Sequence, residues 1–304
     1  MKTHQIQHNA SWARATTTAM SARSASDEEA LQRALEVSRL APAPTEALFG
    51  ITVTDAVPGS LRVEQQIHSA GDANRPWGWI GPLADLTAGR SVLTHLTEDQ
   101  SCRTVNLRLD FGGRLPRAGE RVTAHGRVID LSDDSALAAS TLVGSDGTIL
   151  AHCVGRFMIV SGAHAGSPKD ELPQPTTEAL EHLLGLRVLE KRPTALVLGV
   201  APDRRLANSF DIMHGGVQFA LADVSLRHVI AETTSLEAKH LDLAVSYHRP
   251  VHVSGETMTI CAFVERQGRR IIVARIRARD SLDRLLFSAE GTFATSPSAR
   301  DQGQ

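Results

Sequence analysis

The chain repeats itself, and that limits what it can fold into. Ala84-Asp85-Leu86-Thr87 matches Ala222-Asp223-Val224-Ser225, and residues 104–111 (TVNLRLDF) match residues 240–247 (HLDLAVSY). Gly119-Glu120 answers Gly255-Glu256, and Gly155-Arg156-Phe157 answers Gly291-Thr292-Phe293. The spacing drifts only from 138 residues (Asp85 to Asp223) to 136 (Phe157 to Phe293). Four matches in one order and one register indicate an internal duplication. A chain of 304 residues holds two such units at ordinary domain size.

Each half reads alike. A hairpin (about 50–68 and 185–201) leads through a loop to one long apolar helix (about 79–96 and 214–232), and four alternating strands follow. In the second half these strands are expected near 238–249, 256–267, 269–280 and 284–295. His248-Arg249-Pro250, Gln267-Gly268 and residues 280–283 supply the turns between them. Ile272, Ala274, Ile276 and Ala278 alternate with Val273, Arg275, Arg277 and Arg279, as in a strand with one buried face. One helix wrapped by an antiparallel sheet is an α+β layer architecture.

The expected organisation is a disordered leader over 1–25, rich in Ser, Thr and Ala. An N-terminal helix capped by Ser26, with Glu29 completing a capping box, and the first unit together fill 26–162. A proline-bearing linker spans 163–175, the second unit 176–295, and a polar tail 296–304.

Bulk properties exclude several classes. The formal charge is −2, from 32 basic and 34 acidic residues, and aromatics make up 4%. This offers neither the basic footprint nor the stacking surface of a nucleic-acid binder. Cys102, Cys153 and Cys261 are dispersed and odd in number, so they read as neither a metal set nor a disulfide framework. That points to a reducing cytoplasm. No apolar run approaches the ~20 residues that cross a membrane, and no signal peptide is expected.

The chemistry concentrates in residues 208–225, NSFDIMHGGVQFALADVS. The loop ends in His214-Gly215-Gly216 and runs into an apolar helix that carries Asp223. Two glycines at a helix start leave backbone N–H groups uncovered, where the helix dipole favours negative charge. Gly215-Gly216 alone serves equally well for a tight turn and close helix packing.

The motif Asn208-x5-His214-Gly215-Gly216-x6-Asp223, with its surrounding order of strands and helix, resembles the phenylacetate-pathway (PaaI-type) acyl-CoA thioesterases of the hotdog fold. The resemblance covers about 44–161 and 176–295. It implies two tandem hotdog domains pairing as a pseudo-dimer, a double hotdog. It also implies hydrolysis of acyl-CoA or acyl-carrier thioesters with neither metal nor organic cofactor. A helix Asp then acts as base or nucleophile.

Geometry constrains which acid serves which glycine. Asp223 lies eight residues beyond Gly215, about 12 Å along one helix. A carbonyl seated on the Gly215 N–H is out of its reach, so the acid must come from the other helix, where Asp85 holds the matching position. The expected site is composite: Asn208, His214 and Gly215 with Gly216 from the second half, Asp85 and Thr104 from the first. The reciprocal site would pair Asp223 and His240 with the loop before the first helix. There Pro76 replaces His214 and Trp77 replaces Gly215, so one good site per chain is expected. Gly78 would serve that second site only if the alignment slipped by one.

Structural alternatives stand beside these roles. Asn208 is also an ordinary turn residue, His214 a loop cap, and Thr104 and His240 plain strand residues. Trp77 and Trp79 are expected in the core. Arg249, Arg266, Arg269 and Arg270 are candidates for CoA phosphates or solvated strand ends. Two other readings of the chain are a non-hydrolytic acyl-CoA or acyl-carrier binder and a hotdog dehydratase or hydratase. The latter lacks its expected Asp-x-Asn-Pro-x-His segment here. Exposed edge strands make pairing of whole chains into a homo-oligomer an expectation.

Overall fold

A computed structural model describes residues 42–68, 76–97, 99–162, 171–234, 236–253 and 256–296. The expected leader, the helix capped by Ser26 and most of the linker and tail lie outside these residues. The first half runs α1 (Pro44–Leu48), β1 (Ile51–Val57), β2 (Ser60–Gln66), a 3-10 turn (Trp77–Ile80), α2 (Gly81–Leu93), β3 (Gln100–Phe111), β4 (Arg121–Leu131), β5 (Ser135–Val143) and β6 (Ile149–Ser161). The second runs α3 (Leu180–Leu183), β7 (Arg187–Arg192), β8 (Ala195–Val200), a 3-10 turn (Arg204–Leu206), α4 (Gly215–Thr233), β9 (Glu237–Tyr247), β10 (Met258–Gln267), β11 (Ile271–Arg279) and β12 (Leu285–Ser296). The two long helices and the strands fall where the hydrophobic pattern places them. The short α1 and α3 carry too few residues for a periodicity to show.

All strands join one antiparallel sheet, ordered β1-β2-β4-β5-β6-β3-β9-β12-β11-β10-β8-β7. The halves meet where β3 pairs β9, with Asn106 opposite Ser246, Arg108 opposite Ala244 and Asp110 opposite Asp242. Ala244 is the repeat counterpart of Arg108, 136 residues on. Asp242 and Ser246 are likewise the counterparts of Asn106 and Asp110. A pseudo-two-fold axis therefore passes between Arg108 and Ala244, as it would in an isologous dimer. This is a double hotdog.

Each helix lies against its own half of the sheet. α4 buries Val217, Phe219, Leu221, Val224 and Leu226 completely, and α2 buries Leu83, Ala84, Ala88 and Val92. Helices apolar on nearly all sides are core helices, and each large side chain so buried contributes about 1.5–3 kcal/mol. The sheet makes room with small inward residues such as Ala124, Ala138, Ala262 and Ala274, all fully buried.

The helix starts cross at glycines. A Cβ on Gly216 would meet the Cα of Pro82 at 2.4 Å, and one on Gly78 would meet the Cα of Ala220 at 2.8 Å. Gly78 and Pro82 are the counterparts of Gly216 and Ala220 at the spacing of 138, so the two contacts are one contact seen twice. Bare backbone at these points brings the start of α4 against the first turn of α2, and the 3-10 turn before α2 against the second turn of α4.

The duplication also extends to irregularities that hydropathy does not reveal. The β3–β6 register slips between Thr104 and Asn106, and the β9–β12 register slips between His240 and Asp242. A bulge re-aims the side chain beside it. Here it follows Thr104 in one half and His240 in the other.

Candidate functional site

Asp85 sits on the fifth residue of α2 and is 6% exposed. Its Oδ1 accepts from Thr104 Oγ1 at 2.9 Å, at the β3 bulge. Its Oδ2 accepts from the backbone N–H of Gly216 at 2.9 Å, across the junction of the halves. The carboxylate of one helix therefore faces the N-terminus of the other, where the dipole favours it.

Gly215 faces the same carboxylate. A Cβ there would stand 2.6 Å from Asp85 Oδ2. As the first residue of α4, Gly215 has no intrahelical acceptor for its N–H, and no other described group takes it. A free, helix-directed donor thus lies beside a fixed carboxylate. His214 is the N-cap, and its Nδ1 accepts from Gly216 N–H at 3.0 Å. The same Gly216 N–H reaches Asp85 Oδ2, so ring and carboxylate share it. The same Nδ1 lies 3.3 Å from Asp85 Oδ2, so the ring also shields one side of the carboxylate.

Asn208 does not join this cluster by any hydrogen bond. Its Oδ1 accepts from the N–H groups of Phe210 at 2.9 Å and Ile212 at 3.4 Å, folding the loop that leads to His214. This is the turn-forming behaviour of Asn, the role that stood beside the site role for Asn208.

Tyr247 was missed as a site residue. Its hydroxyl donates to the Gly215 carbonyl at 2.9 Å. Burial holds its pKa well above the usual phenol value, with the Asp85 charge adding to the effect. The one available signal was that the single tyrosine of the chain replaces Phe111 of the repeat.

The reciprocal cluster has the same skeleton and different chemistry. Asp223 Oδ2 accepts from Gly78 N–H at 2.8 Å, the counterpart of the Gly216 bond. Gly78 is in register with Gly216, so the alignment does not slip, and its N–H is taken by Asp223 rather than left free as that of Gly215 is. Asp223 Oδ1 pairs with His240 Nδ1 at 2.7 Å, with Asp223 fully buried and His240 3% exposed. His240 lies flat on Phe293 at 3.9 Å between ring centres, and Phe111 leans on it at 4.9 Å. Trp77 stacks on Phe111 at 4.5 Å. Rings fill the space, and His240 Nε2 is left buried without a partner. Trp77 and Trp79 are core residues, as expected.

No cysteine offers a nucleophile at the site. Burial raises the Cys153 thiol far above its ordinary pKa and pushes Cys102 up to about 12. Among the described residues no cluster of three or more His, Cys, Asp or Glu forms a metal-binding set. Arg249, Arg266, Arg269 and Arg270 make no hydrogen bond or ion pair to any of these site residues.

Fold and geometry can now be set beside known proteins. Residues 210–286 match the thioesterase superfamily. The match runs from the loop before His214 to the start of β12. The TesB protein of Mycobacterium avium subspecies paratuberculosis superposes with a TM-score of 0.63 at 14% identity, covering 88% of this chain and all of that one. The acyl-CoA thioesterase II TesB2 of Mycobacterium marinum gives 0.57 at 12% identity, covering 84% of this chain and 98% of that one. At such identities the likeness is one of fold, and it extends over both halves. No curated protein matches the chain. Among the described residues no helix is long and apolar enough to cross a membrane.

Proposed function

We propose that this chain hydrolyses acyl thioesters, with acyl-CoA as the substrate class, at one composite site per chain. The carrying observation is the placement of the Asp85 carboxylate against Gly215, whose N–H is unused. The thioesterase-superfamily match over the loop and helix that supply Gly215 supports the same reading.

The substrate carbonyl oxygen takes the Gly215 N–H. Asp85 removes a proton from a water, and the resulting hydroxide attacks the carbonyl carbon. The negative charge passes to the carbonyl oxygen, where a fixed donor at a helix start is worth about 3 kcal/mol. The tetrahedral species collapses, the carbon–sulfur bond breaks, and the proton on Asp85 returns to the departing thiolate. Products are the free acid and the thiol. Thr104 and the Gly216 N–H orient the carboxylate, and Tyr247 fixes the peptide on the far side of the donor. The PaaI-type pattern of Asn208, His214 and Gly215 belongs to this reading as the loop that shapes the donor.

Direct attack by Asp85 on the thioester is the rival step. A single turnover in heavy-oxygen water separates them. The base route labels only the released acid and forms no covalent species, whereas direct attack forms an Asp85 mixed anhydride, which puts the label into Asp85 when water opens it at the Asp85 carbonyl and can be captured by borohydride reduction whichever carbonyl water attacks. A thiol-release assay over short, long and aromatic acyl-CoAs tests the activity itself, and complete inertness across that panel overturns it.

A further inference from the structure

Arg103 stands next to Thr104 on β3, and successive strand residues point to opposite faces of the sheet. Thr104 turns inward to Asp85, and Arg103 turns outward. Its guanidinium carbon lies 3.7 Å from the ring centre of Phe210, in the second-half loop that ends at His214. Two contacts thus cross the junction side by side. One is Thr104–Asp85–Gly216 and the other is Arg103–Phe210, from adjacent residues of β3 to the one loop and helix start of the second half.

The charge of Arg103 is unmatched. Its hydrogen bonds go to Ser101 Oγ at 3.3 Å and to the carbonyl of Cys102 at 3.2 Å, and among the described residues no carboxylate pairs with it. It is half-buried, and desolvation lowers its pKa from the ordinary guanidinium value. Elsewhere among the described residues arginines hold carboxylates, as Arg114 holds Glu120 and Arg275 holds Glu290. A guanidinium stacked on an aromatic ring keeps its edge free for bidentate recognition of a phosphate or carboxylate. The repeat counterpart, Lys239, has no such platform: it is exposed and reaches the Gly113 carbonyl at 3.2 Å.

We propose that Arg103, held on Phe210, is the anion subsite of the composite site and receives a negatively charged group of the thioester substrate. This rests on the thioesterase reading. The anion is either a phosphate of the thiol carrier or an acid at the end of the acyl chain, and the same chemistry serves both.

The test compares wild type, R103Q and R103K on three thioesters: butyryl-CoA, the neutral butyryl-N-acetylcysteamine, and glutaryl-N-acetylcysteamine. Calorimetric binding of CoA and of uncharged pantetheine runs alongside. With a phosphate ligand, R103Q loses about ten- to hundredfold in kcat/KM on butyryl-CoA, through KM, and little on either N-acetylcysteamine ester. With an acyl acid, the loss falls on the glutaryl ester alone. R103K, which keeps the charge without the planar fork, recovers part of either loss. Equal losses on neutral and anionic esters, or none on any, overturn the subsite while leaving the hydrolase intact. A wild type that hydrolyses nothing yet binds CoA through Arg103 overturns the hydrolase and keeps the subsite. If CoA and pantetheine bind alike and R103Q changes neither hydrolysis nor binding, the subsite falls.

Discussion

The hydroxyl of Tyr247 donates to the Gly215 carbonyl at 2.9 Å, while its repeat counterpart Phe111 stacks on Trp77, the counterpart of Gly215. One hydroxyl gained and one indole lost distinguish the cluster with a bare Gly215 from the ring-filled one. The Tyr247→Phe variant should keep its fold and lose about 1 kcal/mol of hold on the Gly215 peptide. That corresponds to a fall in kcat of roughly five- to tenfold with KM little changed. Steady-state kinetics and a urea midpoint on the same preparation check it. A fall in KM-determined affinity alone would show that Tyr247 binds substrate instead.

Gly215 and Gly216 are adjacent, yet they should respond differently to alanine. A methyl on Gly215 collides with the Asp85 carboxylate, which can swing aside at the cost of its position. Alanine also favours the helix by about 1 kcal/mol over glycine. Gly215→Ala should therefore stay folded and lose about a hundredfold in activity, the usual cost of a misplaced group. A methyl on Gly216 meets the Cα of Pro82 at 2.4 Å, where only backbone could yield. Gly216→Ala should unfold at markedly lower denaturant. Thermal melts with thiol-release rates separate the two.

Much of this was legible in the sequence. The duplication, both long helices and the strands follow from pattern and register, and the opposition of Asp85 to Gly215 from helix rise together with the pairing of halves that the hotdog resemblance implies. The hydrophobic pattern could not show the bulges after Thr104 and His240, because a bulge changes pairing without changing which residues are apolar. Nor could it show that Asn208 spends its carbonyl on its own loop, since turn and site roles ask for the same side chain. The stacked rings of Trp77, Phe111, His240 and Phe293 unite residues from four separate stretches, and no local signal links them.

Acid should loosen the first half through Glu120. Its carboxylate accepts from both terminal nitrogens of Arg114, at 2.9 and 2.7 Å, and from the N–H groups of Arg117 and Ser145. The Arg114 hydrogen bond is the largest cause that holds its pKa down, to about 2. The folded pKa lies below the unfolded one, so the unfolded chain takes up the proton first. The stabilisation is full above the ordinary glutamate pKa and disappears as pH falls toward about 2. Arg114→Gln should flatten the dependence of the urea midpoint between about pH 5 and 2. An unchanged slope would assign the acid sensitivity elsewhere.

The two helix aspartates give the sharpest contrast. Asp85 holds the proposed base position, so Asp85→Asn should lower kcat by about 10²–10⁴, the range for a lost general base, while the asparagine carbonyl can keep the Gly216 bond and its amide can donate to Thr104, which preserves the fold. Asp223 is fully buried, paired with His240 and bonded to Gly78 N–H. Asparagine there can still accept from Gly78, but it presents an amide where the imidazole N–H requires an acceptor, or loses the Gly78 bond by flipping. Breaking a buried pair by changing one partner costs about 3–5 kcal/mol. Asp223→Asn should therefore be strongly destabilised yet retain near-normal turnover per folded molecule below its melting point. Calorimetric titration with a non-hydrolysable acyl-CoA thioether should return one equivalent per chain in the wild type and in Asp223→Asn. Two equivalents in the wild type, or inactivity of a folded Asp223→Asn protein, would mean that the second cluster also takes substrate, ring-filled though it is.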